Sequence, residues 1–139
     1  MDRRRFVRRV SVLGAASLAG CTDLIALGSD DYDIGMSANA FLPREFTIQA
    51  GGTVIWENDG SRAHTVTAYS DRQPEGATYF ASGGYDNQSD AWDAWHDHEG
   101  GNLYLGERFE HTFEVPGRHE YFCVPHERMD MTGAIIVED

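Results

Sequence analysis

Apolar and polar residues alternate along several short segments of this chain. Clear examples of the pattern are residues 46–49, 54–57, 109–114 and 119–123. Successive side chains on a β-strand point to opposite faces, so this pattern predicts strands with one buried face. Turn-forming residues separate the segments about every eight to twelve residues, which is typical of a β-sandwich. No helical pattern longer than two turns is found, and the expected fold class is all-β.

Four residues form a candidate metal-binding set. Cys123, His126 and Met131 lie within a stretch of nine residues, and His64 lies far upstream on a predicted strand. A thiolate, two imidazoles and a weak thioether are the ligands of a blue-copper electron-transfer site. Met129 is a rival for the thioether position. Each residue alone has a simpler explanation, since an isolated Cys or Met is usually a core residue, and the interpretation depends on the joint pattern.

The motifs around these residues resemble those of the plastocyanin-type cupredoxins, and in particular of the halocyanins of halophilic archaea. The resemblance is carried by Phe-Cys-Val-Pro-His at 122–126, Met-Thr-Gly-Ala at 131–134, the strand region 41–56 and His-Thr-Val-Thr at 64–67. It implies a Greek-key β-sandwich that binds one copper ion and shuttles single electrons.

The resemblance also implies roles for the site residues. Cys123, His64 and His126 would bind copper in a plane, with Met131 as the axial ligand, and the backbone amide of Thr65 would donate to the Cys123 sulfur. His126 would be the electron port, its ring edge reaching the surface inside an apolar patch.

Two residues close in sequence to the candidate ligands, Asp130 and Phe122, also bear on the site. Asp130 replaces the glycine that is common before the axial Met in the family, so the loop conformation there is open. Phe122 takes the place of an aromatic residue that serves as a second exit route in some relatives, although packing on the sheet face is an equal alternative.

The chain is strongly acidic, with 23 Asp and Glu residues, 11 basic residues and a formal net charge of −12. All 11 basic residues are Arg, and five of them lie within the first nine positions. Removal of residues 1–20 would leave 6 Arg, 22 acidic residues and a net charge of −16. Molar salt shortens the Debye length to about 3 Å and would screen the resulting repulsion, which favours a halophilic origin. Such acidity excludes nucleic acid as a partner.

The N-terminal segment has the features of an export signal. Residues 3–8 fit a twin-arginine motif, and the apolar run from Val10 to Ala19 is too short to span a bilayer. The sequence 18–21, Leu-Ala-Gly-Cys, resembles a lipobox that would place a lipid on Cys21. We therefore expect a signal peptide at 1–20, a lipidated tether at 21–31 and a copper-binding domain at 32–139, held at the outer face of the cytoplasmic membrane. With both cysteines assigned, no disulfide is expected.

The segment from Ser70 to Gly106 is long for a loop and is the least explained part of the sequence. Ser89 and Asp90 open a predicted short helix with Trp92 and Trp95 on one face. We expect both Trp residues to pack against the sandwich, with docking of a partner as the alternative. His96 and His98 are expected to be solvated, with a second metal site as the alternative, and His111 and His119 are expected to be ordinary strand residues.

These features predict an electron carrier rather than an enzyme. A monomer would pass single electrons between protein partners of a respiratory chain at the membrane, with no small-molecule substrate. A copper enzyme such as a nitrite reductase would need a second, catalytic copper site and usually a second domain. A copper chaperone or buffer protein is the better alternative, although such proteins generally favour exchangeable Met- or Cys-rich sites.

Overall fold

Two four-stranded sheets pack against each other in the computed structural model, which describes residues 31–139. The strands are β1 Ile34–Met36, β2 Phe41–Leu42, β3 Glu45–Gln49, β4 Gly52–Glu57, β5 Thr67–Ala68, β6 Arg108–Phe113, β7 Gly117–Phe122 and β8 Thr132–Glu138. The predicted signal peptide, Cys21 and nearly all of the tether lie outside the described residues, so the proposed division of the N-terminal region stays a prediction.

The strand order is β2-β1-β4-β6 in the first sheet and β3-β8-β7-β5 in the second. β1 pairs in parallel with β4, and β3 pairs in parallel with β8, whereas β4–β6 and β7–β8 are antiparallel. This mixture of hairpin and long-range connections gives a Greek-key sandwich. The predicted fold class is confirmed, and the short helix expected in the long loop is present.

The core lies between the two sheets and is built from the inward-facing members of the alternating segments. Trp56 on β4 is fully buried, and its ring lies 5.4 Å from that of Tyr121 on β7 and 5.6 Å from that of Phe109 on β6. Interlocking aromatic rings of this kind bury large apolar areas and give the interior a defined geometry. The core therefore provides a rigid support for the segments that end at the metal-ligand candidates.

The strand predicted at residues 64–68 is shorter than its alternating pattern indicates. Only Thr67 and Ala68 form β5, His64 makes a single bridge to Leu103, and all five residues of the segment are buried. The reason is that the long insertion covers the outer side of this segment. Its backbone bonds to it, from the Ser82 N–H to the Val66 carbonyl at 2.7 Å and from the Ala68 N–H to the Phe80 carbonyl at 3.0 Å.

The insertion contains one helix, α1, which spans Gln88–His98. It has 11 residues, about three turns, which is longer than any helical pattern found in the sequence. The cap is Asn87, whose side chain accepts from the Asp90 N–H at 2.8 Å, and not Ser89. Within residues 31–139, no helix is long and apolar enough to cross a membrane.

Candidate metal centre

Three of the predicted ligands meet at one end of the sandwich. The candidate ligand atoms of His64, Cys123 and His126 all lie within 4.8 Å of one another, and all three residues are buried. The Cys123 Sγ lies 3.6 Å from the Nδ1 of His64 and 3.4 Å from the Nδ1 of His126. No other such group of potential metal ligands is found in the part of the chain that the structure describes.

A short loop brings Cys123, His126 and Met131 to the same place. Cys123 follows β7, and Pro125 lies in the first turn of a 3₁₀ segment, Val124–Met129, that contains His126. Two backbone bonds close the loop, from the Cys123 N–H to the Met131 carbonyl at 3.0 Å and from the Met131 N–H to the His126 carbonyl at 3.2 Å. Met131 is fully buried in the same core cluster as Cys123.

Thr65 joins the His64 segment to this loop. Its backbone N–H donates to the Cys123 sulfur at 3.4 Å, which confirms the predicted donor. Its hydroxyl accepts from the Val124 N–H at 2.9 Å, a contact that sequence reasoning missed. Both bonds are buried, and together they fix residues 123–124 relative to the His64 segment.

Asn58 is a second residue whose role the sequence did not reveal. It is fully buried, and its amide nitrogen donates to the carbonyls of Arg62 and Leu103, both at 2.7 Å. Its side-chain oxygen accepts from the Gly60 N–H at 3.0 Å. The loop that precedes His64 is therefore fixed from inside. An Asn at the start of a turn was the available signal, but it indicates a turn and not burial.

The chemistry of the three residues suits a soft metal ion. Burial raises the pKa of the Cys123 thiol to about 11. Burial, with a smaller contribution from the nearby His126, lowers the pKa of His64 to about 4, and burial also lowers the pKa of His126. Both imidazoles are therefore neutral at pH 7, with lone pairs available for coordination, and a metal ion would displace the thiol proton. A buried sulfur with two imidazole nitrogens fits copper.

His126 is more enclosed than an electron port at the surface was expected to be, since only 7% of the residue is exposed. Exposed Arg128 and Met129 follow it in the loop, and half-buried Pro125 precedes it. The surface at this point combines one charged and one apolar side chain.

The remaining candidates lie elsewhere. Met129 is 52% exposed, and its sulfur lies 3.7 Å from the side-chain nitrogen of Asn39. His96 and His98 are exposed on α1, where the Nδ1 of His96 contacts the Trp92 carbonyl and that of His98 contacts Asp97. Neither belongs to a group of three potential metal ligands among residues 31–139, so nothing there supports a second metal site.

His111 and His119 lie on β6 and β7, as expected. Neither belongs to the cluster formed by His64, Cys123 and His126.

Comparison with known proteins agrees with this geometry. The family described as copper binding proteins, plastocyanin/azurin family, matches residues 29–138. Plastocyanin of Scenedesmus fuscus is 31% identical over 114 residues, which cover 82% of this chain and 97% of the plastocyanin.

Solved structures show the same fold. Amicyanin from Paracoccus versutus is 28% identical with a TM-score of 0.54, over 79% of this chain and 83% of the amicyanin. A purple cupredoxin from Nitrosopumilus maritimus superposes with a TM-score of 0.52 at 23% identity, over 78% of this chain and all of that protein. The family match covers most of the chain, and it includes the buried Cys and both His residues. This chain belongs to the plastocyanin/azurin family of copper-binding proteins.

Proposed function

We propose that this protein is a one-electron carrier whose copper ion is held by His64, Cys123 and His126, with Met131 as the axial ligand. The observation that carries the proposal is the convergence of one sulfur and two imidazole nitrogens within 4.8 Å in a buried site. Copper bound there supplies a one-electron Cu(I)/Cu(II) couple.

The positions of the two methionines support Met131 as the axial ligand. Met131 is fully buried beside Cys123, whereas Met129 is half exposed and directs its sulfur to Asn39. A weak axial thioether tunes the reduction potential. The Thr65 N–H donates to the sulfur and tunes its electron density, whereas Pro125 has no N–H to donate.

The burial of all three ligands supports a carrier over an enzyme. A substrate would have to reach the metal ion, but His64 and Cys123 are fully buried and His126 nearly so. An electron needs no such access. The backbone and side-chain bonds that fix the loop also favour one ligand geometry in both oxidation states, which keeps the energy of reorganisation small.

The cellular setting is part of the proposal. Residues 3–8 and 18–21 support twin-arginine export and lipidation at Cys21. We place the protein as a lipid-anchored monomer on the outer face of the cytoplasmic membrane, where it carries electrons between the membrane complexes of a respiratory chain. The high acidity supports a halophilic origin and the halocyanin subtype. Membrane fractionation of wild type and Cys21→Ser tests the anchor, since the variant should move to the soluble fraction.

A visible spectrum of the Cu(II)-loaded protein tests the proposed function. We expect an intense blue thiolate-to-copper band that reductant bleaches, and that is absent in Cys123→Ser. A colourless protein that prefers zinc would overturn the proposal. Dialysis against a mild chelator distinguishes a carrier from a copper chaperone or buffer, because a carrier should retain its copper.

A further inference from the structure

Met131 directly precedes β8, at the end of the sheet where β8 has a neighbouring strand on one side only. β7 pairs with β8 from Thr132 onward, whereas β3 begins at Glu45, opposite Ala134. The side chain of Arg44, the residue before β3, reaches across this gap. We propose that Arg44 is a positioning residue that sets how closely the Met131 thioether approaches the metal ion. This inference rests on the proposed function, since it needs Met131 as the axial ligand.

The guanidinium of Arg44 holds the two residues on either side of Met131. Its Nη2 donates to the Oγ1 of Thr132 at 2.7 Å and to the Oδ2 of Asp130 at 3.1 Å. A charged donor makes shorter and stronger hydrogen bonds than a neutral one. Because both acceptors belong to neighbours of Met131, one guanidinium nitrogen restrains the chain before and after the thioether.

The main chain of Arg44 is itself fixed against β8. Its carbonyl accepts from the Ala134 N–H at 2.9 Å, and a Cβ on Gly133 would lie only 3.0 Å from that carbonyl oxygen. Gly133 therefore permits the close approach of the two segments. Since its main chain is fixed in this way, the Arg44 side chain ties the residues around Met131 to the start of β3.

Two backbone bonds restrain Met131 from the opposite side. Its carbonyl accepts from the Cys123 N–H at 3.0 Å, and its N–H donates to the His126 carbonyl at 3.2 Å. Both bonds join Met131 to the residues that carry the other candidate ligands of the loop. Arg44 supplies the restraint on the side of β3, where the backbone ladder starts only at Ala134.

The contact with Arg44 also explains an acidic residue at position 130. Asp130 adopts a left-handed conformation, which costs a non-glycine residue free energy, and a Gly here would offer Arg44 no acceptor. The ion pair is exposed, with 58% of the Arg44 side chain and 74% of the Asp130 side chain accessible, so it adds little to stability. We expect its effect in the geometry of the loop rather than in the free energy of unfolding.

The reduction potential of the copper-loaded protein, measured by voltammetry, tests this role. Arg44→Met removes both bonds and should raise the potential, because the axial thioether is held less closely. A simple effect of charge has the opposite sign, since loss of a positive charge near the metal favours Cu(II) and lowers the potential. Arg118→Met is the matched control and should not raise the potential. The Arg118 side chain is 50% exposed and binds Glu45 and Glu120, with no bond to residues 130–132 among the described residues.

Substitution of the acceptor separates the hydrogen bond from the charge of Arg44. Thr132→Val keeps the β-branched shape without the hydroxyl and should raise the potential, whereas Thr132→Ser keeps the hydroxyl and should not. The double variant Arg44→Met, Thr132→Val should shift the potential by less than the sum of the single shifts, because both substitutions remove the same bond. Additive shifts, or a potential in Arg44→Met that falls, would overturn the proposal.

Hydrogen exchange of the copper-free protein adds a readout that does not involve the metal. We expect the Met131 amide to exchange severalfold faster in Arg44→Met than in wild type, and the amides of the β4–β6 ladder to be unchanged. Equal exchange of the Met131 amide in wild type, Arg44→Met and Arg118→Met would contradict the positioning role.

The variant Met131→Leu distinguishes failure of this inference from failure of the proposed function. If Arg44→Met and Met131→Leu both leave the potential unchanged, the axial assignment of Met131 fails. If only Arg44→Met leaves it unchanged, the positioning role of Arg44 fails. Absence of the blue band in wild type would instead defeat the proposed function itself.

Discussion

The backbone N–H of Thr65 lies 3.4 Å from the sulfur of Cys123 and donates to it, which joins two segments that are 58 positions apart in the chain. The same residue's hydroxyl accepts from the Val124 N–H at 2.9 Å. Thr65 thus holds the sulfur with one group and the following peptide with another. The position of the sulfur relative to His64 is set by this residue as much as by the loop that carries Cys123.

Replacement of the Thr65 hydroxyl should therefore destabilise the protein. In Thr65→Val the Val124 N–H stays buried without its acceptor, which costs about 1–3 kcal/mol in free energy of unfolding. Chemical denaturation of the copper-free protein measures the change. Thr53→Val is a suitable control, because Thr53 forms an exposed hydroxyl pair with Thr112 and its loss should cost no more than about 0.5 kcal/mol. Equal losses in the two variants would contradict the role of Thr65.

Asp130 adopts a left-handed backbone conformation, with φ 64° and ψ 33°, where a glycine is favoured. Its side chain also forms an exposed ion pair with Arg44 at 3.1 Å. Asp130→Gly and Asp130→Ala both remove this pair, but only Ala keeps the strain of a Cβ in this conformation. We expect the Gly variant to be more stable than the Ala variant by about 1–2 kcal/mol. Thermal or chemical unfolding compares them, and a more stable Ala variant would contradict the assignment.

The two methionines near the site should respond differently to substitution. Met131→Leu roughly conserves the buried volume, at a cost of less than about 1.5 kcal/mol, and removes the proposed axial thioether. We expect the reduction potential to rise in this variant, because the lost ligand stabilises Cu(II) more than Cu(I). Met129→Leu should leave both the potential and the blue band unchanged, since the Met129 sulfur contacts Asn39 at the surface. Voltammetry and the visible spectrum measure both variants. A changed potential in Met129→Leu, with none in Met131→Leu, would assign the axial position to Met129.

Acid should destabilise the fold through two histidines away from the metal-ligand candidates. Burial lowers the pKa of both His111 and His119, with the charge of His119 as a smaller cause for His111. His119 is 2% exposed, and its Nε2 donates to the Val115 carbonyl at 2.8 Å.

Because the folded state prefers the neutral rings, their contribution to stability is complete above about pH 6.5 and is lost as the pH falls below it. Unfolding of the copper-loaded protein at pH 5–7.5, within the range where the blue band persists, measures how steeply the free energy of unfolding changes with pH. His119→Gln should give a shallower slope than wild type. An unchanged slope would show that His119 does not titrate in this range.

The loop that holds the candidate metal ligands could be predicted from sequence because these candidates are local. Cys123, His126 and Met131 lie in one short loop, so their spacing already limits how far apart they can be. The alternation in residues 109–114 and 119–123 likewise reports which face of each strand is buried, because side chains on a strand alternate strictly. Both features are properties of consecutive residues.

The insertion could not be predicted in the same way. The alternating pattern at residues 64–68 predicted one buried face, but both faces are buried because the insertion covers the outer side of that segment. The cap of α1 was assigned to Ser89 and is Asn87, since several residues there have similar capping propensity and packing selects the start.

The sequence by itself determined the ligand types, their order and the all-β class, because these depend on residue chemistry and on local periodicity. Only the tertiary structure decided that His64 meets Cys123, that Asn58 and Thr65 hold them in place, and that Trp92 lies near Phe122. Those relationships join residues far apart in the chain. They depend on how the sheets and the insertion pack together, and no local pattern records that packing.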